Sequence, residues 1–216
     1  MTHKEIKKKR ILTYFIEAAQ EIMINEGIEN VTLRKVADMA GYNGATLYNY
    51  FKDFDQLILF ASLKYLKIYN IEVSKQVKKC KNEREKFFAM WKVFCDVSFK
   101  YPQPFNQIFF NKHSDSLDVI SKQYYELFPE DLGTKDKHLK EILLGTRLGI
   151  RNKISLKCFA DEENLNWKNI DLMNEMIIGL YHDLLLRCIN DNGEETKDYY
   201  HNKMMEYLDY IIKSAS

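Results

Sequence analysis

The side chains best suited to chemistry in this chain stand close together at residues 43–52, NGATLYNYFK. On a helix that begins there, Leu47 and Phe51 point inward and a face of small and polar residues remains outside. Small residues at the start of a helix let its backbone sink into a major groove, and Thr, Asn and Tyr can bond phosphates or base edges. The chemistry that this segment indicates is nucleic-acid recognition. Its outer face consists of Gly44, Ala45, Thr46, Tyr48, Asn49 and Tyr50.

A second helical pattern just before this segment is needed to position it. Apolar residues recur at helical spacing from Val31 to Ala40, Thr32 is placed to cap that helix, and Gly41 supplies a left-handed residue to end it. Asn43 can cap the helix that follows. Two short helices joined by a glycine turn are typical of a helix-turn-helix DNA reader. An ordinary helical hairpin within a larger bundle is the alternative that spacing leaves open.

Roughly the first sixty residues also resemble the amino-terminal domain of the TetR family of bacterial transcriptional regulators. The similar positions agree with the family in order and spacing. They are Arg10-Ile11-Leu12, Ala18-Ala19, Glu26-Gly27-Ile28, Thr32, Val36-Ala37, Ala40-Gly41-Tyr42 and Thr46-Leu47-Tyr48-Asn49-Tyr50-Phe51. The resemblance implies an all-helical homodimer that represses transcription and leaves its operator when a small molecule enters the carboxy-terminal domain.

Carried over position by position, the family's reader helices imply a set of DNA contacts in this chain. Asp53-Phe54 stands where the family usually has a small residue followed by Lys, so one expected phosphate contact is missing. Asn43 stands where Ser is common, but it caps a helix equally well. The implied DNA contacts are Thr32, Asn43, Gly44, Thr46, Tyr48, Asn49, Tyr50 and Lys52.

Helical patterns continue along the whole chain. Only three Pro and eight Gly interrupt its 216 residues, and no convincing strand alternation appears, so we expect an all-α fold. We expect an amino-terminal three-helix helix-turn-helix domain at 1–52 and a larger helical ligand-binding and dimerisation domain at 53–216. Asp53, with Gln56 three residues later, predicts the cap of a long helix that joins them and ends near Lys79. The other helices after it are expected at 83–99, 104–110, 116–128, 135–153, 165–190 and 195–213, and the first helix at 4–25.

Charge, cysteine and histidine content limit the classes of function. The net charge is +1, and the basic segment KEIKKKR at 4–10 is expected to act as an amino-terminal arm that attracts phosphate. Four Cys and five His are scattered without metal-ligand spacing, and no phosphate loop or nucleophile elbow occurs, so we predict no metal, cofactor or catalytic residue. No apolar run reaches the ~18 residues that span a bilayer, and the Lys-rich beginning lacks the apolar core of a signal peptide. We therefore expect a cytoplasmic protein without a membrane partner.

The segment MNEMIIGLYHDLLLRCI at 173–189 is apolar nearly all the way round its helix. Such a helix must be buried on two sides, one against its own core and the other against a partner's copy. With an apolar stripe on the last helix, it predicts a four-helix homodimer interface about a two-fold axis. A monomer with a deep central helix is the alternative. The predicted interface residues are Ile178, Gly179, Leu185, Met204, Leu208 and Ile211.

Aromatic residues crowd the segment 87–128. Most single rings there belong to the core, but so many rigid rings among few helices tend to leave a space that a flat or apolar molecule fills. Arg147 and Arg151, one turn apart on a later helix, could meet a ligand carboxylate or phosphate, although such arginines are more often surface residues. The predicted ligand-binding residues are Phe88, Trp91, Cys95, Phe109, Tyr124, Phe128 and Arg147.

These features predict a dimeric TetR-type transcriptional repressor that binds a palindromic DNA operator and is released by a small, mostly apolar or aromatic inducer. A first alternative is a helical DNA-binding regulator that needs no small molecule. A filled core behind the aromatic residues would favour that alternative, whereas a closed cavity would favour an inducer. A second is a helical carrier or enzyme, for which the sequence supplies no catalytic group.

Overall fold

A computed structural model describes residues 2–113, 116–134, 137–144, 147–163, 169–191 and 193–215, and no strand occurs among them. The expectation of an all-α fold is confirmed. No helix in this part of the chain is long and apolar enough to cross a membrane. The helices are α1 (His3–Glu26), α2 (Leu33–Ala40), α3 (Gly44–Leu47), α4 (Phe54–Val77), α5 (Glu83–Ser98), α6 (Pro102–Phe110), α7 (Leu117–Leu127), α8 (Lys137–Leu144), α9 (Leu148–Glu163), α10 (Ile170–Asn190) and α11 (Lys197–Ala215), with 3₁₀ turns at Ile28–Asn30 and Pro129–Leu132.

The first four helices begin at capping side chains. Thr2, Thr32, Asn43 and Asp53 each accept a hydrogen bond from a backbone N–H in the first turn that follows, at 2.8–3.3 Å. These N–H groups have no partner within their own helix, so each cap fixes where its helix begins. The cap at Thr2 also places the basic segment 4–10 inside α1. The amino-terminal arm expected there is therefore a face of a helix.

Three helix boundaries differ from the sequence-based expectation. The single helix expected at 135–153 is two helices, α8 and α9. α6 begins at Pro102 rather than Pro104, because proline is tolerated in a first turn, where its missing N–H has no partner to lose. α10 begins at Ile170, and residues 164–168, where its beginning was expected, lie outside the described residues.

α4 joins the amino-terminal helices to the rest of the fold, because it packs against α1 on one side and against α5 and α6 on another. The rings of Phe15 and Phe51 meet edge to face at 6.3 Å, and those of Phe51 and Phe60 at 5.6 Å. Edge-to-face pairs of this kind add to the free energy of burial. One continuous cluster of buried apolar side chains runs from Ile11 to Ile212. The expected domain boundary at 52/53 falls directly before α4 and stays a prediction.

Candidate functional site

The helices α2 and α3 are held together by a tight turn and a shared buried face. Gly41 ends α2 at φ 75° and ψ 29°, a left-handed conformation that glycine adopts without steric cost. The N–H of Tyr42 donates to the carbonyl of Ala37 across this turn at 2.9 Å. Val36 and Leu47 are fully buried, so the pair packs inward as one unit. This is the arrangement of a helix-turn-helix, with the beginning of its second helix open to solvent.

Most of the predicted DNA contacts lie on the open side of α3 and of the turn after it. The ring of Tyr48 is 54% exposed. α3 ends at Leu47, before the expected end near Phe51, and the chain continues as tight turns in which the N–H of Asn49 donates to the carbonyl of Thr46 at 3.2 Å. Thr32, Asn43, Tyr48, Asn49 and Lys52 are exposed, and Gly44, Thr46 and Tyr50 are partly buried.

Cations around this surface are few. Lys35 pairs with Glu26 at 2.6 Å, and Arg34 lies 3.8 Å from Asp38. The side chain of Lys52 is exposed to solvent. Attraction of phosphates at this surface therefore depends mainly on Lys52 and on the basic first turns of α1, because paired cations are already partly neutralised.

Residues 15–59, which contain the second half of α1, both helices of the turn motif and the start of α4, match the family described as bacterial regulatory proteins of the tetR family. This segment of the chain therefore matches the amino-terminal domain of the TetR family. The resemblance drawn from the sequence is confirmed. No curated protein matches the sequence.

Solved structures, among them two TetR-type regulators, share the fold along nearly the whole chain. FadR of Thermus thermophilus, a transcriptional repressor in complex with lauroyl-CoA, is 17% identical over 91% of this chain and 92% of its own, with a TM-score of 0.60. A TetR transcriptional regulator from Rhodococcus sp. RHA1 is 12% identical over 97% of this chain and 100% of its own, with a TM-score of 0.57. RolR in complex with resorcinol is 14% identical over 98% of this chain and 96% of its own, with a TM-score of 0.55. Identities this low show a common fold.

The TetR-type domain is tied to the loop after α6 by a cluster of charged side chains. Nε2 of His113 lies 2.9 Å from Oδ1 of Asp53, the residue that caps α4. Nζ of Lys112 lies 2.5 Å from Asp55 and 3.5 Å from Asp53. Partial desolvation alone would raise the pKa of Asp53, but the N–H of Gln56, with His113 and Lys112, lowers it below the usual aspartate value. We call this cluster the α4 clamp.

A second, buried network connects the TetR-type domain to the helices behind it. Gln20 of α1 donates to the hydroxyl of Tyr124 at 3.3 Å, and that hydroxyl donates to Asp131 at 2.7 Å. Lys67 of α4 completes the chain of contacts with an ion pair to Asp131 at 2.7 Å. Burial and the neighbouring Asp131 raise the pKa of Tyr124, so this phenol remains a hydrogen-bond donor. Movements of α4 and α7 must therefore be transmitted to α1 or break these bonds.

A small cavity lies among α4, α5, α8 and α9, and its volume is about 30 Å³. That volume admits one or two water molecules, so the core behind the aromatic residues is nearly filled. Its lining is mostly apolar, with an arginine, an amide and a hydroxyl. The lining residues are Tyr69, Met90, Trp91, Phe94, Leu143, Leu148, Arg151, Asn152 and Ser155.

Of the seven predicted ligand-binding residues, Trp91 lines this cavity. Phe88 packs on the far side of Phe87, Cys95 is fully buried in the core, and Phe109 lies behind Arg151. Tyr124 belongs to the buried network, with Phe128 stacked against it, and Arg147 is exposed. The prediction failed to bring these residues together because aromatic residues at helical spacing fill a core just as well as they line a space. Arg151, which the sequence analysis considered beside Arg147, does line the cavity. The signal that was passed over is its polar neighbours Asn152 and Ser155 on the same buried face of α9.

The residues predicted for the dimer interface fall into two groups. Leu185, Met204, Leu208 and Ile211 are buried inside the chain's own core, so they are not available to a partner in this fold. Gly179 is exposed and Ile178 partly buried. Instead, the exposed apolar residues of α10 lie along one stripe, since positions 172, 176, 179 and 186 share a helix face. Leu172, Met176 and Leu186 are 59%, 43% and 40% exposed.

Among the described residues, no group of three or more His, Cys, Asp or Glu side chains is placed to hold a metal ion. Titratable side chains there also form pairs that connect neighbouring helices. His201, for example, lies 2.7 Å from Asp96, on neighbouring helices α11 and α5.

Proposed function

We propose that this chain is a dimeric, ligand-responsive transcriptional repressor that reads a palindromic operator through residues 1–52 and binds ligand and its second copy through residues 53–216. The observation that carries the proposal is the capped helix-turn-helix at 32–52, whose exposed Tyr48 and Asn49 extend from a fully packed base. A rigid base matters because side chains that read bases must be held in register with the groove. The TetR-family domain at 15–59 supports the same function.

The proposed DNA contacts divide by role. Tyr48, Asn49 and Thr46 are placed to reach base edges or phosphates from the open face of α3 and its turn, whereas Lys52 contacts phosphate. Thr32 and Asn43 already accept hydrogen bonds as helix caps, so their contacts with DNA must leave these hydrogen bonds in place. Gly44 and Tyr50 form the rest of the proposed DNA-binding surface.

The experiment that tests this function is a mobility shift with a palindromic fragment from the gene's own promoter region, at several salt concentrations. Binding should weaken steeply with salt, with a log–log slope of about 0.9 for each contacted phosphate. A scrambled fragment of equal length is the control. Equal affinity for both fragments would exclude an operator-specific regulator.

The exposed stripe on α10 supports the dimer. Leu172, Met176 and Leu186 would remain in water in a monomer, and Gly179 between them admits a neighbouring helix closely. A two-fold pairing of α10 with its copy covers the same patch on both subunits. Such a dimer also supplies the two readers that a palindromic operator needs, spaced by about 34 Å.

Ligand release is supported by the connection that α6 makes between Arg151 and the α4 clamp. Phe109 of α6 lies against Arg151, and α6 leads directly into Lys112 and His113 of the clamp. A molecule that displaces α6 therefore pulls on the N-terminal end of α4, directly after the reader at residues 1–52. FadR and RolR, whose structures share this fold, were solved in complex with the small molecules lauroyl-CoA and resorcinol.

A regulator without an inducer is the second candidate, and the nearly filled core favours it, because 30 Å³ cannot hold even a small organic molecule without rearrangement. Fluorescence of Trp91 separates the two candidates. Quenching by an apolar compound, together with release of the operator, supports an inducer. An operator complex that no compound from an apolar and aromatic panel dissociates supports the second candidate.

A further inference from the structure

The small cavity adjoins a larger cleft at the surface. That cleft has a volume of about 360 Å³ and lies between the end of α4, the beginning of α5, and α8 and α9. Met90 and Ser155 line both spaces, and the hydroxyl of Ser155 lies 3.7 Å from the sulfur of Met90. The wall between the cavity and the cleft is therefore formed in part by this one pair of side chains.

Met90 is suited to act as a movable wall. Methionine is unbranched, has three rotatable side-chain bonds and adapts to irregular spaces. Its contact with Ser155 is a weak hydrogen bond to a thioether, which a rotation breaks at little cost. With Met90 turned aside, the two spaces together reach the ~300–1,000 Å³ that is typical of ligand pockets.

The inner end of this path carries one cation in apolar surroundings. Arg151 lines the cavity, is 5% exposed, and has its guanidinium carbon 5.2 Å from the centre of the Phe109 ring. Burial lowers its pKa, and the nearby phenols of Tyr125 and Tyr69 act in the opposite direction. Beside it, Asn152 accepts a hydrogen bond from the indole N–H of Trp91 at 2.8 Å and donates to Asn174 at 2.9 Å, so its amide is held in place.

We propose that the ligand is a slender apolar carboxylate that enters through the cleft, passes between Met90 and Ser155, and places its carboxylate on Arg151 and its apolar body toward the cleft. This inference rests on the proposed ligand response and adds to it the chemical class and the direction of binding. A guanidinium forms paired hydrogen bonds to a carboxylate, and such charge-assisted bonds are strongest where water is excluded.

The mouth of the cleft is consistent with an anion. Among the described residues that line it, Lys78 and Lys86 are cationic and Glu83, which is paired with Lys86 at 2.5 Å, is acidic. Val77, Leu139 and Met90 supply apolar surface between the mouth and the wall. Lysines at an entrance raise the local concentration of an anionic ligand without binding it tightly.

The test compares decanoate, 1-decanol and decanoyl-CoA, each below its micellar range, by quenching of Trp91 fluorescence in a Trp167→Phe background. Decanoate should bind at least about tenfold more tightly than 1-decanol, because only the carboxylate gains charge-assisted bonds to Arg151. It should also bind more tightly than decanoyl-CoA, whose acyl carbonyl is neutral and whose bulky head cannot pass the wall. Equal binding of acid and alcohol, or tighter binding of the thioester, would overturn the proposal.

Variants assign the effect to Arg151. Arg151→Met should remove the preference for decanoate over 1-decanol, and Arg151→Lys should keep part of it. Lys157→Met, which removes an exposed cation of the same helix, is the matched control and should keep all of it. Met90→Phe, which blocks the wall, should weaken acid and alcohol equally. Undiminished preference in a folded Arg151→Met variant would contradict the assignment.

Operator binding is measured separately, so that the two proposals can fail independently. Decanoate that binds in the expected manner but leaves the operator complex intact would refute ligand release and leave the site assignment standing. An operator complex that another class of compound releases, with no preference for the carboxylate, would refute the site assignment and leave ligand release standing.

Discussion

The carboxylate of Asp53 contacts two separate segments of the chain. Its carboxylate caps α4 through the N–H of Gln56 at 2.8 Å, and it also faces His113 from the loop after α6. The cap alone would be satisfied by Ser, Thr or Asn. Only the α4 clamp requires that the cap be charged. This requirement gives a carboxylate a role at this position, next to the proposed DNA surface.

The first prediction separates these two roles. Asp53→Asn preserves the cap but removes the charge facing His113 and Lys112, and it should lower the melting temperature at pH 7 by about 1–4 °C, a small effect because these groups are partly exposed to solvent. A carboxylate with a lowered pKa stabilises the fold above its unfolded pKa, and the contribution is lost as the pH falls through the folded pKa. The difference between wild type and variant should therefore vanish in strongly acidic solution. Calorimetry between neutral and acidic pH measures it, and a constant difference would contradict the ionic origin.

The second prediction concerns the DNA surface. Tyr48→Ala and Lys52→Ala should each lower operator affinity by roughly 1–3 kcal/mol, since each removes a contact to a base edge or phosphate. Both side chains are exposed, so helical content by circular dichroism should not change. Lys140→Ala, an exposed lysine of α8, is the control for loss of one positive charge. Wild-type affinity in both reader variants would show that these residues do not touch DNA.

At the scale of helices, features that depend on residues close together in the sequence were predicted better than features that depend on distant residues. The caps at Thr32, Asn43 and Asp53 and the glycine end at Gly41 were predicted correctly because each depends on residues that are close in the sequence. The division of 135–153 into two helices and the lining of the cavity depend on packing between segments far apart in the sequence. Periodicity identifies a buried face of a helix but not the helix that faces it.

α10 illustrates that difference. Its sequence correctly indicated two apolar sides, but it did not show which side faces the chain's own core. Leu185 is fully buried, whereas Met176 is 43% exposed. The two residues therefore report on different properties, and substitutions in them should have different results.

The third prediction uses this contrast. Met176→Glu should convert the dimer to a monomer with unchanged helical content, because it places a charge in the proposed interface. Leu185→Glu should instead unfold the chain, because it buries a charge within the core. Light scattering and circular dichroism measure the two outcomes, and Asp161→Lys on the exposed side of α9 is the control. A wild-type monomer at micromolar concentration, or a Met176→Glu dimer, would refute the α10 interface.

At the scale of the molecule, α4 is the element that both proposed sites share. Its 24 residues extend about 36 Å, from the α4 clamp beside the reader to the cleft with Lys78 at its mouth. Its N-terminal end also carries the reader, so a shift of α4 changes the spacing of the two readers in a dimer. With this geometry, α4 would transmit a displacement at the ligand site to the helices that bind the operator.

The fourth prediction is the size and reciprocity of this coupling. For a hundredfold loss of operator affinity, the ligand must prefer the released arrangement by about 2.7 kcal/mol, which is an ordinary coupling energy. By linkage, saturating operator must weaken decanoate binding by the same factor. Titration of Trp91 fluorescence with and without operator measures it. A tightly bound ligand whose affinity ignores the operator would exclude this transmission through α4.

The rings of Phe15, Phe51 and Phe60 have a consequence for how such proteins can be recombined. A chimaera cut at residue 52 would carry Phe51 away from Phe60 and leave the inner side of the reader facing a foreign helix. Leu57, Leu59 and Phe60 lie in the first two turns of α4 and are almost fully buried. The smallest unit that can be transplanted with its specificity intact therefore includes those turns, and exchange of readers between regulators, in the laboratory or in evolution, should succeed only at junctions further along α4.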